Sequence, residues 1–323
     1  MPVVPIAFMT SKDDTWHEAA TALTGLKAVT FGDGLFTAVG LDPVGTQNKV
    51  FTSQDGKNWT VQSTGGSTTG YSWYGVTYGT FGAAKILLAV GQDATVGVLR
   101  RSVDGGISWT AVTSPTLGLF KAATYSPGTQ AFLAIASTGT IAQKIVRSTD
   151  GCATFSFVAA LGGASPQTAF VSAAADTANT VVAATATGTT QYSTNGGNNW
   201  TIGSVLGTSA VGVSFVNGKF IVPQPTASGV HHSTDGITWT FATNLDVTSA
   251  SIAFSCITYS EGRYWGHTSL GAVYSSTALT GVAWDLSVDT VPAKDYVGKT
   301  GNGTIVLVSS AVSSGNCAVY KKF

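Results

Sequence analysis

The residues best suited to chemistry in this chain recur in one short pattern. A serine, an acid or amide, a glycine and then an aromatic appear in Ser53-Gln54-Asp55-Gly56-Lys57-Asn58-Trp59. The order returns as Ser102, Asp104, Gly105 and Trp109, and again as Ser148, Asp150, Gly151 and Phe155. Two further copies are Ser193, Asn195, Gly196, Trp200 and Ser233, Asp235, Gly236, Trp239. Carboxylates in glycine-rich turns could bind calcium or move protons, but a residue repeated in every unit reads more naturally as scaffold. Asp or Asn accepts backbone N–H groups two or three residues on, Gly supplies a positive φ, and the aromatic anchors the returning strand.

The remaining reactive residues are few and scattered. Glu18 and Glu261 are the only glutamates, and four of the 14 aspartates sit in the repeated turn. Glycosidases generally need two carboxylates flanking the bond, which leaves Asp42, Asp93 and Asp295 as candidates for a hydrolase. Of four arginines, Arg101 and Arg147 directly precede motif serines, Arg100 adjoins Arg101, and only Arg263 stands apart. His231-His232 is adjacent rather than spaced for one metal, and no carboxylate pattern accompanies it. Trp265 and His267 form a weaker pair, for which a core position is the plainer reading. Cys152, Cys256 and Cys317 have no ligand-like spacing and read as small buried residues. No nucleophile elbow, metalloprotease helix or phosphate-binding loop is visible. The sequence therefore predicts no metal and no cofactor.

Composition narrows the partners. Sixteen basic and 16 acidic residues balance to zero, so there is no basic stripe for nucleic acid and no polybasic attraction to anionic lipid. The best apolar run, Ile86-Leu87-Leu88-Ala89-Val90, is far too short to span a bilayer. Met1-Pro2-Val3-Val4-Pro5 lacks the basic and apolar regions of a signal peptide. Synthesis in a reducing cytoplasm is the expectation.

The elements that must position these residues follow from the repeat. Successive motif serines lie 49, 46, 45 and 40 residues apart. A weak sixth copy at Ala272-Val273-Tyr274-Ser275-Ser276 keeps Trp284, and Ala318-Val319-Tyr320 echoes it 46 residues later. Seven units fill the 323 residues, each with a four-strand pattern and hairpin signals such as Asp33-Gly34 and Asn217-Gly218. No stretch shows capped helical periodicity. The fold class predicted is all-β, a seven-bladed β-propeller forming one domain over 1–323. Its blades fall at about 26–62, 74–112, 120–158, 168–203, 210–243, 252–288, and 295–323 plus 11–19. Ser11-Lys12-Asp13-Asp14-Thr15-Trp16 reads as a damaged copy of the turn. Trp16 to Ala19 should then supply the missing fourth strand of the last blade and close the ring.

The repeated turn resembles the Asp-box, or BNR repeat, of sialidase-like β-propellers, with five good copies and two degenerate ones along the chain. In that family the box lies between the third and fourth strands, on the face away from the usual active site, so the resemblance implies a fold rather than an activity. Sialidases of this type use three arginines to clamp a carboxylate and a Tyr/Glu nucleophile pair. This chain has neither the arginines in place nor the Arg-Ile-Pro signature. A third reading, an assembly factor resembling the seven-bladed Asp-box propeller that helps build photosystem II, is set aside because that family's arginine patch and export or lipoprotein signal are missing from the sequence.

Ligand residues are expected on the face opposite the repeated turns. Its loops are Gly40–Asn48, Gln62–Trp73, Gly91–Gly97, Ala159–Gln167, Gln224–Gly229 and Ser310–Asn316. Tyr71, Trp73 and Tyr74 cluster there and could stack on sugar rings, or could pack between blades. The inner strands enter at Lys27, Tyr74, Lys121, Ala169, Val211, Ser255 and Asp295, which makes Lys27, Lys121, Tyr74 and Asp295 candidates for a polar site at the channel mouth. The Gly/Ser/Thr/Ala-rich neutral chain resembles propellers of tailed-phage particles. It is expected to be non-enzymatic and to reside in the virion after synthesis in the host cytoplasm. Its expected partners are other virion proteins or a bacterial surface glycan; the alternative is a sialidase-like glycosidase.

Overall fold

A computed structural model describes residues 15–20, 23–40, 49–63, 71–93, 96–115, 118–138, 144–158, 170–207, 212–224, 229–243, 248, 252–287, 290–293, 296–309 and 318–323. They build seven antiparallel sheets of four strands each. Blades 1 to 6 each use four consecutive strands, beginning at Leu26, Ser72, Phe120, Phe170, Ser214 and Cys256. Blade 7 takes Tyr296–Gly301, Thr304–Ser309 and Ala318–Lys322, then His17–Glu18 from the opposite end of the chain. His17 pairs with Tyr320 and Glu18 with Val319, while the Ala19 N–H donates to the Ala318 carbonyl at 3.0 Å. The predicted closure is the observed one. Among the described residues the sole helical turn is a 3-10 segment at Pro127–Thr129, and no helix is long and apolar enough to cross a membrane.

The second strand of each blade is covered on both faces by neighbouring blades. It therefore reads as a continuous apolar run rather than an alternation, as in Ala131–Ala136, where all six residues are buried. The fourth strand lies at the rim and is mostly exposed, with Val61, Phe157, Ile202, Phe241 and Leu286 facing outward. The core consists of seams shared by adjacent blades. Phe36 and Ala38 of blade 1 meet Val306 and Val308 of blade 7, and Ile86 and Leu88 of blade 2 meet Phe132 and Ala134 of blade 3. Near the channel, aromatic rings lie on glycines of the preceding blade. A Cβ on Gly32 would fall 2.0 Å from the Tyr78 ring, and one on Gly301 would fall 2.2 Å from Phe31. Only glycine allows the inner strands to approach so closely.

Candidate functional site

The repeated turns have a constant geometry. In all five, the serine Oγ accepts the N–H of the residue three places before the aromatic: Gly56, Gly106, Cys152, Gly197 or Gly236, at 2.8–2.9 Å. This residue adopts a left-handed φ, between 65° and 86°, in every copy. Three copies carry one extra residue ahead of it, which explains why the aromatic follows Asp/Asn-Gly by either three or four places. Trp59, Trp109 and Trp200 return a bond from Nε1 to that residue's carbonyl, at 2.8, 2.8 and 3.0 Å.

The acids serve the turn itself. Asp55 accepts the N–H groups of Lys57 and Asn58 at 2.9 and 2.8 Å, and Asp235 those of Ile237 and Thr238, both at 2.8 Å. Burial alone would raise the pKa of Asp55, Asp104, Asp150 and Asp235. The N–H and hydroxyl donors outweigh it, and all four lie below the usual carboxylate value. A carboxylate held ionised in this way is a poor general acid. Among the described residues no three His, Cys, Asp or Glu side chains group to hold a metal ion.

Arginines near the motif serines are held by neighbouring structure. Arg147 of blade 3 extends Nε to the Gly196 carbonyl of the blade 4 turn, at 2.7 Å. Arg100 donates to the Tyr71 hydroxyl at 3.1 Å and lies 5.3 Å from that ring's centroid. Arg263 bonds Asp285 at 2.7 Å on its own blade.

The aromatic cluster at the entry to blade 2 separates into two environments. Trp73 is fully buried and Tyr71 nearly so; both pack with Val39 and Val50 of blade 1. As candidate ligand-face residues these two are corrected: the Trp73 ring has no free face for a sugar, because the blade 1–2 seam fills around it. Tyr74, the next residue, turns the other way and lines the central channel.

Lys27, Tyr74 and Lys121 share one position in three consecutive blades. Each sits at a register shift in its inner strand, between Leu26 and Ala28, Trp73 and Gly75, and Phe120 and Ala122. A bulge leaves one residue unpaired and re-aims its side chain, and here all three line the channel, which has a volume of about 960 Å³. Lys121 Nζ rests 3.4 Å from the Tyr74 ring centroid. Burial, and then the charge of Lys121, hold the Lys27 ammonium below the usual lysine pKa. In blade 4 the shifted residue is Val171, two places on from the Ala169 expected from sequence. Ala169, Val211 and Asp295 lie outside the described residues, as do Asp42, Cys317 and the damaged turn at 11–14.

Sequence reasoning missed Lys299. This residue faces the same channel from blade 7, where its side chain has open surface yet is ringed by protein, and burial lowers its pKa. Its strand, Tyr-Val-Gly-Lys-Thr-Gly, has little apolar content, and that was the available signal. The channel also receives Asp176, whose Oδ1 accepts the N–H groups of Ala178 and Thr180, both at 2.9 Å. Cys256 lines the channel with its thiol pushed up to about 12 by burial, and Cys152 is a buried turn residue. His267 is fully buried, with neither ring nitrogen hydrogen-bonded.

Fold and geometry define the class: this is a seven-bladed β-propeller with a lysine-lined channel. No known family model matches the sequence. No curated protein matches it either. Solved structures do match the fold. "YCF48 bound to D1 peptide" aligns with a TM-score of 0.69 at 14% identity, over 95% of this chain and 94% of that one. YCF48 from Cyanidioschyzon merolae aligns with a TM-score of 0.68 at 15% identity, over 95% and 98%. The GH74 enzyme of Niastella koreensis aligns with a TM-score of 0.59 at 15% identity, over 88% of this chain and 50% of its own. At such identities the likeness establishes the propeller and nothing finer.

Proposed function

We propose that this chain is a non-catalytic binding propeller, a component of a bacteriophage particle whose channel face recognises a glycan of the bacterial surface. On this reading the repeated turns are Asp-boxes that hold the scaffold, and the opposite face is free for recognition. The observation that carries it is the channel mouth. Three consecutive bulges mount Lys27, Tyr74 and Lys121 on rigid inner strands, while Asp176, a carboxylate of the same channel, is committed to its own turn. Such a mouth supplies donors and a ring face for recognition, rather than the acid and base of a glycosidase. The neutral, Gly- and Thr-rich composition and the apolar residues exposed on successive rim strands support residence among other particle proteins.

The test is binding of the purified chain to a broad array of bacterial surface glycans, with mass spectrometry of whatever is retained. Intact glycan is the expected result. Cleaved glycan would overturn the non-catalytic reading and put the channel-face aspartates, Asp93 first, in the role of acid or base. If no glycan is retained, glycan recognition fails. A protein partner then takes its place, as in the YCF48 structure described with a peptide.

A further inference from the structure

We infer that the channel mouth holds an oxyanion, a carboxylate or a phosphate ester, between the ammonium groups of Lys27 and Lys121, with the Tyr74 ring between them. The inference rests on the reading above, that this mouth is where the propeller binds its ligand, and it adds the ligand's charge.

The argument begins with position. Lys27, Tyr74 and Lys121 come from blades 1, 2 and 3 at the same bulge, so the tyrosine stands between two lysines on one arc of the mouth. Lys121 lies over the Tyr74 ring at 3.4 Å, a contact that fixes its ammonium against the wall. Lys27 is half-buried beside it. The ion pairs formed between described residues are Lys85–Asp33 and Arg263–Asp285, and neither involves a channel lysine. Lys299 adds a third cation to the same channel, while Asp176, the carboxylate among its described lining residues, already accepts two backbone N–H groups.

Like charges gathered in a partly desolvated site repel one another, and a bound anion removes that cost. The lowered pKa of Lys27, caused by burial first and by Lys121 second, carries that repulsion as its lesser part. Two ammonium groups present up to six N–H donors, more than a monatomic ion can order and suited to the several oxygens of a carboxylate or phosphate. Among the described residues the other arc of the mouth carries no charged side chain at the bulge positions. Val171 fills the bulge of blade 4, and the Ser255 hydroxyl of blade 6 is spent on the His267 carbonyl at 2.9 Å. A channel of about 960 Å³ is far larger than one oxyanion. The anionic group is therefore an appendage of a larger ligand whose neutral part lies against that other arc.

The experiment reads the lysines directly. Reductive ¹³C-methylation keeps their charge, and each methylated amine is followed by NMR as pH is varied. Titrations add inorganic phosphate in one arm and a hexuronate oligosaccharide in the other. Expected is a Lys27 signal that titrates below the ordinary lysine value in the free protein and moves upward, saturably, with either anion. Lys121→Gln should weaken this response roughly tenfold, the loss of one charge-assisted contact. Lys27→Gln should abolish acidic-glycan retention while leaving the melting temperature unchanged. A saturable response to one anion alone upholds the inference and identifies the source of the oxygens. The inference is overturned if Lys27 and the exposed Lys85 drift together without saturation, or if Lys121→Gln leaves the response intact. Retention of neutral glycans with no anion response sinks the charge assignment and leaves the binding role standing. An anion response with no glycan retained does the reverse.

Discussion

The seams among blades 1 to 5 and the seam between blades 6 and 7 meet the same packing demand with different chemistry. In the first group, the left-handed residue of each repeated turn lies on the blade before it. A Cβ on Gly197 of blade 4 would come within 2.1 Å of Leu133 Cδ2 in blade 3, and one on Gly236 of blade 5 within 2.6 Å of Val182 Cγ2 in blade 4. The copy that belongs to blade 7, Ser11-Lys12-Asp13-Asp14-Thr15-Trp16, has no glycine in its sequence, and the seam of blade 7 with blade 6 is built from large side chains. Trp16 stands edge-on to His267 with centroids 4.9 Å apart, Lys321 Nζ lies 4.8 Å from the Trp265 centroid, and Phe323 tilts against Trp265 at 5.3 Å. The other flank of blade 7 keeps the turn device, since a Cβ on Gly56 of blade 1 would come within 2.6 Å of Val306 Cγ2. Blade 7 joins the two chain ends, and its seam with blade 6 draws on bulky contacts that include Trp16 and so form only once the ring is complete.

The largest test of that difference is removal of residues 1–20. The deletion takes away the strand His17–Glu18, exposes the edge of Ala318–Lys322 and strips Trp16 from His267. Trp16 is half-buried against the blade 6–7 seam, and losing its packing together with the strand's hydrogen bonds costs about 3 kcal/mol, so a fall in the melting temperature of the whole ring is expected by calorimetry. An unchanged melting temperature would show that the N-terminal strand is an ornament. Next in size is Gly197→Val, which strains the turn seams instead. Gly197 has φ +81° and its Cβ would strike Leu133, so backbone strain and overpacking together cost roughly 3 kcal/mol. Loss of stability smaller than that of an exposed-surface control would mean that the turn does not register the blades.

A pH scan separates the two kinds of seam. Burial holds His267 at about 3, against an ordinary histidine value of 6.5. The unfolded chain therefore takes up a proton below pH 6.5 that the folded chain refuses. Stability is complete above that value and declines as pH falls toward 3. His267→Leu keeps the volume, removes two unpaired ring nitrogens and abolishes this slope. Urea titrations at pH 7 and pH 5 check it: the wild type loses stability between the two, and the variant loses less. Equal losses would place the acid sensitivity elsewhere.

Much of this architecture is written in local spacing. A turn that recurs every 40 to 49 residues gives blade number directly, and the damaged copy before Trp16 gives the closure. The site is harder to read because a β-bulge is a property of two strands. Lys27 and Lys121 could be placed by counting from the repeat, but Val171 displaced Ala169 because the register shift of blade 4 lies two residues later. Trp73 and Tyr74 are neighbours with opposite fates, one in the seam and one in the channel. Strand alternation predicts that they part, yet which of them points inward depends on the bulge between Trp73 and Gly75. Lys299 escaped notice because nothing in its own strand repeats elsewhere.

The smallest prediction asks whether charge matters to the repeated turn at all. Blade 4 already carries the experiment, with Asn195 where the other copies have aspartate. Asn195 Oδ1 accepts from Ser193 Oγ and from the Asn199 N–H, both at 2.9 Å, as Asp150 accepts from Ser148 Oγ and the Thr154 N–H at 2.7 and 3.0 Å. What the amide cannot supply is the second acceptor oxygen that Asp150 offers to the Thr154 hydroxyl. Asp150→Asn should therefore cost about 0.5–1 kcal/mol near neutral pH, the worth of one hydrogen bond at an exposed site. Asp150 has a lowered pKa in the fold, so its contribution is present above the unfolded value of 3.8 and is lost as pH falls through the folded one. Variant and wild type should then differ at pH 7 and converge in acid. A difference that persists at low pH would show that the carboxylate acts through shape rather than charge, and the aspartate of the turn would lose its electrostatic explanation.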